Sequence, residues 1–184
     1  MLAQTCKLTL SQLLIVDMQT KLATAMPADA MQATIKNSCI LAQAASLLAV
    51  PVIITEQYPQ GLGETLTEIT QHLPATKPIA KTAFSALGEP KFNQQLHRDQ
   101  SQIVLAGMEA HICIVQTALD LMKANKQVFV VEDAIISRNP THKTNAMARM
   151  REAGCIITNT ESVLFEWLGN ANHPSFKAIS ALIR

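Results

Sequence analysis

Six short runs of branched and aliphatic residues recur along the chain, most of them followed by a longer stretch with helical spacing. They are LLIVD (13–17), PVIIT (51–55), PIAK (78–81), QIVLAG (102–107), QVFVVED (127–133) and CIITN (155–159). Their apolar positions are continuous rather than alternating, so a strand with one wet face is a poor fit. A strand apolar on both sides belongs in a parallel sheet with helices packed above and below it.

The intervening segments supply those helices. The spacing predicts one over 29–49, with Met31, Ile35, Cys39, Ala42 and Ala45 on one stripe. A second is expected over 110–124, carrying Ile112, Val115, Leu119 and Met122, and a third over 141–154, closed by Gly154. Shorter helices are expected after residue 65, over 90–98 and at the C-terminal end. The polar stretch EQYPQGLGET (56–65) reads as a loop for substrate or for a subunit contact. With 184 residues and no repeat or linker, the chain is expected to form one domain. The fold class is α/β, a three-layer doubly wound sheet. Such sheets bind ligands at the carboxyl ends of their strands.

Three polar residues stand at those ends. Asp17 closes the first run, Lys81 closes the third, and Cys113 follows the fourth near the start of a helix. A thiolate, not a thiol, is the nucleophile, and a helix N-terminus or a nearby ammonium favours the charged form. A carboxylate can take the thiol proton and return it to a leaving group. Each residue also has an ordinary reading. Cysteine in an apolar helix is more often packed than reactive. A terminal acid can cap a turn, and a lone lysine is usually solvated.

Other constellations are weaker. His111 is two positions from Cys113 and would face another direction on a helix. Ser85 lacks the nucleophile-elbow motif. The remaining histidines (72, 97, 142 and 173) have no metal-ligand spacing. Four cysteines without a Cys-x-x-Cys pair fit neither a disulfide framework nor a zinc cage, so free thiols are expected. Net charge is only +1, with 15 scattered basic residues, which argues against nucleic acid and membrane surfaces as partners. No apolar stretch approaches the ~20 residues of a bilayer span. No secretory pattern precedes the first run, so the cytoplasm is the default compartment.

Taken together, LLIVDMQ, VIITEQYPQGLGET, KTAFSAL, LAGMEAHICIVQTALDLM and VFVVEDAIISR resemble the isochorismatase-like (cysteine hydrolase) superfamily. The resemblance runs from about Leu13 to Leu168 and is strongest to the isochorismatase domain-containing proteins. It implies a six-stranded parallel sheet and a catalytic triad of Asp17, Lys81 and Cys113. In this family the cysteine attacks an amide or related carbon, the aspartate shuttles the proton, the lysine supports the charge, and water releases the acyl-enzyme. It further implies a non-proline cis peptide between Met108 and Glu109, aiming the Glu109 and Cys113 N–H groups at an oxyanion.

The resemblance also implies a small-molecule substrate, a pocket lined by Gln19, Tyr58 and Phe84, and a homo-oligomer. For the two aromatics, ordinary core packing is an equal alternative. Nicotinamidases of the superfamily bind a metal through histidines after the second strand. Here that stretch reads TEQYPQ, so neither metal nor cofactor is expected. A catalytically idle binding or scaffold member is the alternative from another class, and a metal-dependent deamidase ranks below both.

Overall fold

The computed structural model describes residues 5–184. Six parallel strands form one sheet in the order β3-β2-β1-β4-β5-β6. They are β1 (Ser11–Val16), β2 (Val52–Gln57), β3 (Ile79–Lys81), β4 (Gln102–Met108), β5 (Gln127–Ile136) and β6 (Ile156–Thr158). The chain starts at the centre, builds outward to β3, then returns to the other side of β1. The point of reversal, between β1 and β4, is where a crevice opens at the strand ends.

Every residue of β1 and β4 is buried, as continuous apolar runs require. Alternate side chains of β1 enter two separate cores. Leu13 and Ile15 pack with the helices Ala28–Leu47, Thr160–Leu168 and Phe176–Ala181. Leu14 and Val16 pack with Pro90–Gln95, Val115–Lys123 and Pro140–Glu152 on the opposite face. The result is three layers, helix on sheet on helix. Among the described residues no helix is long and apolar enough to cross a membrane.

Several local departures from the sequence expectations have physical causes. The helix Ala28–Leu47 buries Met31, Thr34, Ser38, Leu41 and Ala45, whereas Ile35 and Cys39 are only half-buried. Its stripe is rotated toward small residues, which lets the helix lie close to the sheet. Thr34 tolerates burial because its hydroxyl donates to the Ala30 carbonyl at 2.8 Å. Second, β5 does not stop at Asp133 but continues to Ile136, since the β4–β5 register shifts between Leu105 and Gly107 and then resumes at Gly107↔Ile135 and Met108↔Ile136. Third, the helix expected from 110 begins as a π-helical turn, Ala110–Ile114, and becomes α-helical only at Val115. Similarly, β2 runs on to Gln57, and Pro59–Leu62 forms a helical turn inside the stretch expected to be a loop.

Candidate active site

Asp17 continues the backbone pairing of β1 for one more residue, its N–H donating to the Thr55 carbonyl at 3.0 Å. Its φ of 54° then turns the chain into the left-handed region, where aspartate is among the better tolerated residues. The neighbouring strand accommodates this turn through Gly107, whose φ is 125° and where any side chain would collide with the Val16 carbonyl.

The Asp17 carboxylate is fully buried. Its Oδ1 accepts from the Thr55 hydroxyl at 2.7 Å, and its Oδ2 lies 2.8 Å from Lys81 Nζ. Neither side chain of this ion pair is exposed to solvent. Lys81 Nζ also faces Gln57 Oε1 at 2.7 Å, the Phe84 carbonyl at 3.1 Å and the Ala83 carbonyl at 3.2 Å. Three carbonyl oxygens thus take its three N–H bonds, and the Asp17 carboxylate is held beside them by charge.

Cys113 lies in the π-helical turn, 6 % exposed, with Sγ 4.0 Å from Gln57 Oε1. The charges of Asp17 and Lys81 both act on it. The structure therefore brings together Asp17, Lys81 and Cys113, three residues far apart in sequence. Burial pushes the thiol up to about 12, the Asp17 charge adds to the rise, and Lys81 offsets only part of both. The lysine acts in the expected direction, lowering the thiol, but by less than burial and Asp17 raise it. The lysine's charge is largely spent on Asp17, and the resting thiol is protonated.

The Met108–Glu109 peptide is cis. The Glu109 carboxylate turns away from the thiol, accepting from the Arg138 backbone N–H at 3.0 Å and from its Nε at 3.1 Å. The Glu109 carbonyl accepts from the Ile112 and Ile114 N–H groups, the wide spacing of a π turn. His111 points toward β5: its Nδ1 is 3.0 Å from the Ser137 hydroxyl, and its ring is 4.6 Å from that of His142.

The three expected pocket residues have different surroundings. Gln19 is fully buried, and its amide is consumed by backbone. Its Nε2 donates to the carbonyls of Gln57 at 3.0 Å and Gly63 at 2.6 Å, while its Oε1 accepts from the Gln57 N–H at 2.8 Å. Gln19 is thus a brace beneath the site. Tyr58 and Phe84 are not core residues, being 56 % and 52 % exposed. Both flank Lys81: the Tyr58 N–H donates to its carbonyl at 2.9 Å, and its ammonium donates to the Phe84 carbonyl. The Tyr58 ring lies over Gly61, where a β-carbon would strike the ring edge.

Gln57 is the residue that sequence reasoning missed. Its side chain reaches both Lys81 and Cys113, and its Nε2 donates to the Thr82 carbonyl at 2.8 Å. Its one sequence signal was its place at the carboxyl end of β2. The neighbouring Glu56 is occupied otherwise, its Oε1 accepting from the Thr65 N–H at 2.6 Å and hydroxyl at 2.7 Å.

The isochorismatase domain matches this chain over residues 11–162. The chain belongs to the isochorismatase family. A human relative, isochorismatase domain-containing protein 2, is 45% identical over 143 residues, which is 76% of this chain and 67% of the relative. Among solved structures, one described as the MAR1 ribonuclease from Caenorhabditis elegans superposes with a TM-score of 0.92 at 36% identity, covering 97% of this chain and 92% of that one. The YcaC gene product of Escherichia coli, described as an octameric hydrolase of unknown specificity, superposes with a TM-score of 0.89 at 22% identity, covering 97% and 89%. At that identity the likeness establishes the fold. The isochorismatase-family sheet thus carries, at its reversal point, the buried ion pair and thiol described above.

Proposed function

We propose that the chain is a cysteine hydrolase of a small amide-like or related substrate, working through Cys113, Lys81 and Asp17 without a cofactor. The observation that carries this reading is the Asp17–Lys81 pair, 2.8 Å apart, fully buried and within reach of a thiol. A buried ion pair is weak evidence of a stabilising role, because desolvation can exceed the Coulombic gain. Placed at the strand ends of a doubly wound sheet, it has a chemical use.

The protonated resting thiol makes proton removal part of the attack. As Sγ bonds to the substrate carbonyl carbon, the thiol proton passes to Asp17 and the carbonyl π pair moves onto oxygen. The Glu109 and Cys113 N–H groups are the donors proposed for that oxygen. Lys81 stays charged throughout and balances whichever anion is present. Collapse breaks the bond to the leaving amine, which takes the proton from Asp17. Water then attacks the thioester, gives a proton to Asp17, and the C–S bond breaks as Cys113 regains it. The sum is amide plus water to acid plus amine.

The likeness to the nematode protein described as a ribonuclease brings a second reading, phosphodiester cleavage. It has less support here. RNA binding is dominated by unpaired cations along the phosphate backbone, whereas Lys81 is paired inside the protein and net charge is +1. Self-association into a homo-oligomer belongs to the proposal, and a 20 kDa sedimenting species at micromolar concentration would contradict it.

Acid-quenched mass spectrometry after mixing with a panel of small amides and esters tests the chemistry. An acyl adduct on Cys113 in the wild type, absent from Asp17→Asn, is the expected result. Cleavage of a ribo-oligonucleotide by a protein that never acylates would favour the second reading. If neither occurs, and iodoacetamide alkylation of Cys113 does not respond to Lys81→Ala, the protein is an idle member of the fold.

A further inference from the structure

The proposed mechanism uses three residues, but the ammonium at its centre is shared with a fourth. Gln57 Oε1 is 2.7 Å from Lys81 Nζ and 4.0 Å from Cys113 Sγ, so one carbonyl oxygen stands between the cation and the nucleophile. The rest of Gln57 is fixed with unusual completeness. The Gln19 side chain pairs with both its backbone N–H, at 2.8 Å, and its carbonyl, at 3.0 Å. Its own Nε2 is tied to the Thr82 carbonyl at 2.8 Å, which leaves Oε1 only one direction to face. Gln57 also pairs in register with Lys81 across β2 and β3, so the two side chains leave the sheet side by side.

The chemical identity of the residue matters as much as its placement. Asp17 and Lys81 are the charged groups acting on the Cys113 thiol, and their formal charges sum to zero. An amide contributes an acceptor without a charge. A carboxylate in the same place would leave the enclosed site with a net negative charge before any reaction, and a second anion beside a thiol favours its protonated form. An apolar side chain would release the ammonium toward the Ala83 and Phe84 carbonyls, away from the sulfur.

We propose that Gln57 is a positioning residue of the proposed hydrolase. Its amide oxygen holds the Lys81 ammonium between Asp17 and Cys113, and its neutrality keeps the buried site free of excess charge. The proposal rests on the cysteine-hydrolase reading but makes a separate claim, that the influence of Lys81 on Cys113 passes through where Gln57 holds it.

The test is the rate of Cys113 alkylation by iodoacetamide at pH 8, followed by peptide mass spectrometry, with Cys6 and Cys155 as internal controls. Iodoacetamide is uncharged, so the rate reports the thiolate fraction, tenfold for each unit of pKa. Gln57→Glu is expected to slow Cys113 by about tenfold or more and leave the other thiols unchanged. Gln57→Met, of similar length, is expected to shrink the slowing caused by Lys81→Ala by at least about twofold, the sign of coupling in a double-mutant cycle. A role confined to bracing the loop would instead speed alkylation of all three buried thiols together. Equal Cys113 rates in wild type and Gln57→Glu, or additive effects of Gln57→Met and Lys81→Ala, overturn the proposal. If Lys81→Ala itself leaves the wild-type rate unchanged, it is the hydrolase reading that fails. Gln57→Glu is close to isosteric and decides the matter alone should Gln57→Met not fold.

Discussion

The two ends of the sheet bury polar groups by different means. At the amino end, near the start of β1, neutral side chains bond mainly to backbone, with the Glu166 carboxylate beside them accepting from the Cys6 N–H at 2.6 Å. Gln12 bonds the Gln95 carbonyl at 3.0 Å and the His97 N–H at 3.1 Å. Gln102 accepts from the Lys7 N–H at 2.6 Å and donates to the Thr5 carbonyl at 3.2 Å. Ser11 joins the Lys7 carbonyl, the Trp167 indole and the Cys6 thiol. At the carboxyl end backbone carbonyls also take part, but Asp17, Lys81 and Gln57 meet one another as well, and two of them are ions. Each end holds a buried cysteine, Cys6 raised to about 11 and Cys113 to about 12, in both cases chiefly by burial. What differs is that the charge of a cation acts on Cys113, whereas the charge acting on Cys6 is that of Glu166. Neutral amides thus satisfy most of the polar groups at one strand end, whereas the other encloses an ion pair with neither side chain exposed.

The contrast can be broken most severely at Asp17. Asp17→Ala strands the Lys81 ammonium in the interior and is expected to cost about 3–5 kcal/mol in urea denaturation. At the amino end, Gln102→Leu leaves the Lys7 N–H and Thr5 carbonyl without their partner, for about 1–3 kcal/mol. Equal losses at the two ends would erase the distinction.

A smaller effect sharpens it with pH. The Cys6 and Cys113 thiols, raised from 9.0 to about 11 and about 12, stay protonated in the fold while the unfolded chain ionises. Their contribution is therefore complete below pH ~9 and is lost as pH rises toward the folded values. The slope is about 1.4 kcal/mol per pH unit per thiol. Replacing either cysteine with alanine should flatten the decline by one thiol's share. The two differ in a last respect: Lys81→Ala should slow iodoacetamide at Cys113 and leave Cys6 untouched.

Much of this architecture was legible because burial on both faces writes itself as uninterrupted apolar runs, as in β1 and β4. The helix over 28–47 was legible in extent but not in facing, since Thr34 is buried with a local hydroxyl bond and Ser38 is buried on the same side, neither of which hydrophobic periodicity counts. The end of β5 was obscured by Glu132 and Asp133, charged residues that a strand passes through when its register shifts. At the site, Asp17, Lys81 and Cys113 could be picked out as polar residues at strand ends, though their association came from family likeness. Gln57 could not. An amide acquires meaning only from what it faces, and its partners lie 24 and 56 residues away. Nor could the protonated state of Cys113, which depends on an enclosure built by the whole sheet.

Because Asp17 and Lys81 cancel within 2.8 Å, they present the solvent with a dipole rather than a charge. A dipole's field fades faster than a charge's, and at a Debye length of ~8 Å little of it remains. The buried pair therefore adds little guidance of its own to an approaching charged molecule, and any steering toward the site comes from charges elsewhere on the surface. What the pair contributes is felt only at contact distance, after the substrate has arrived.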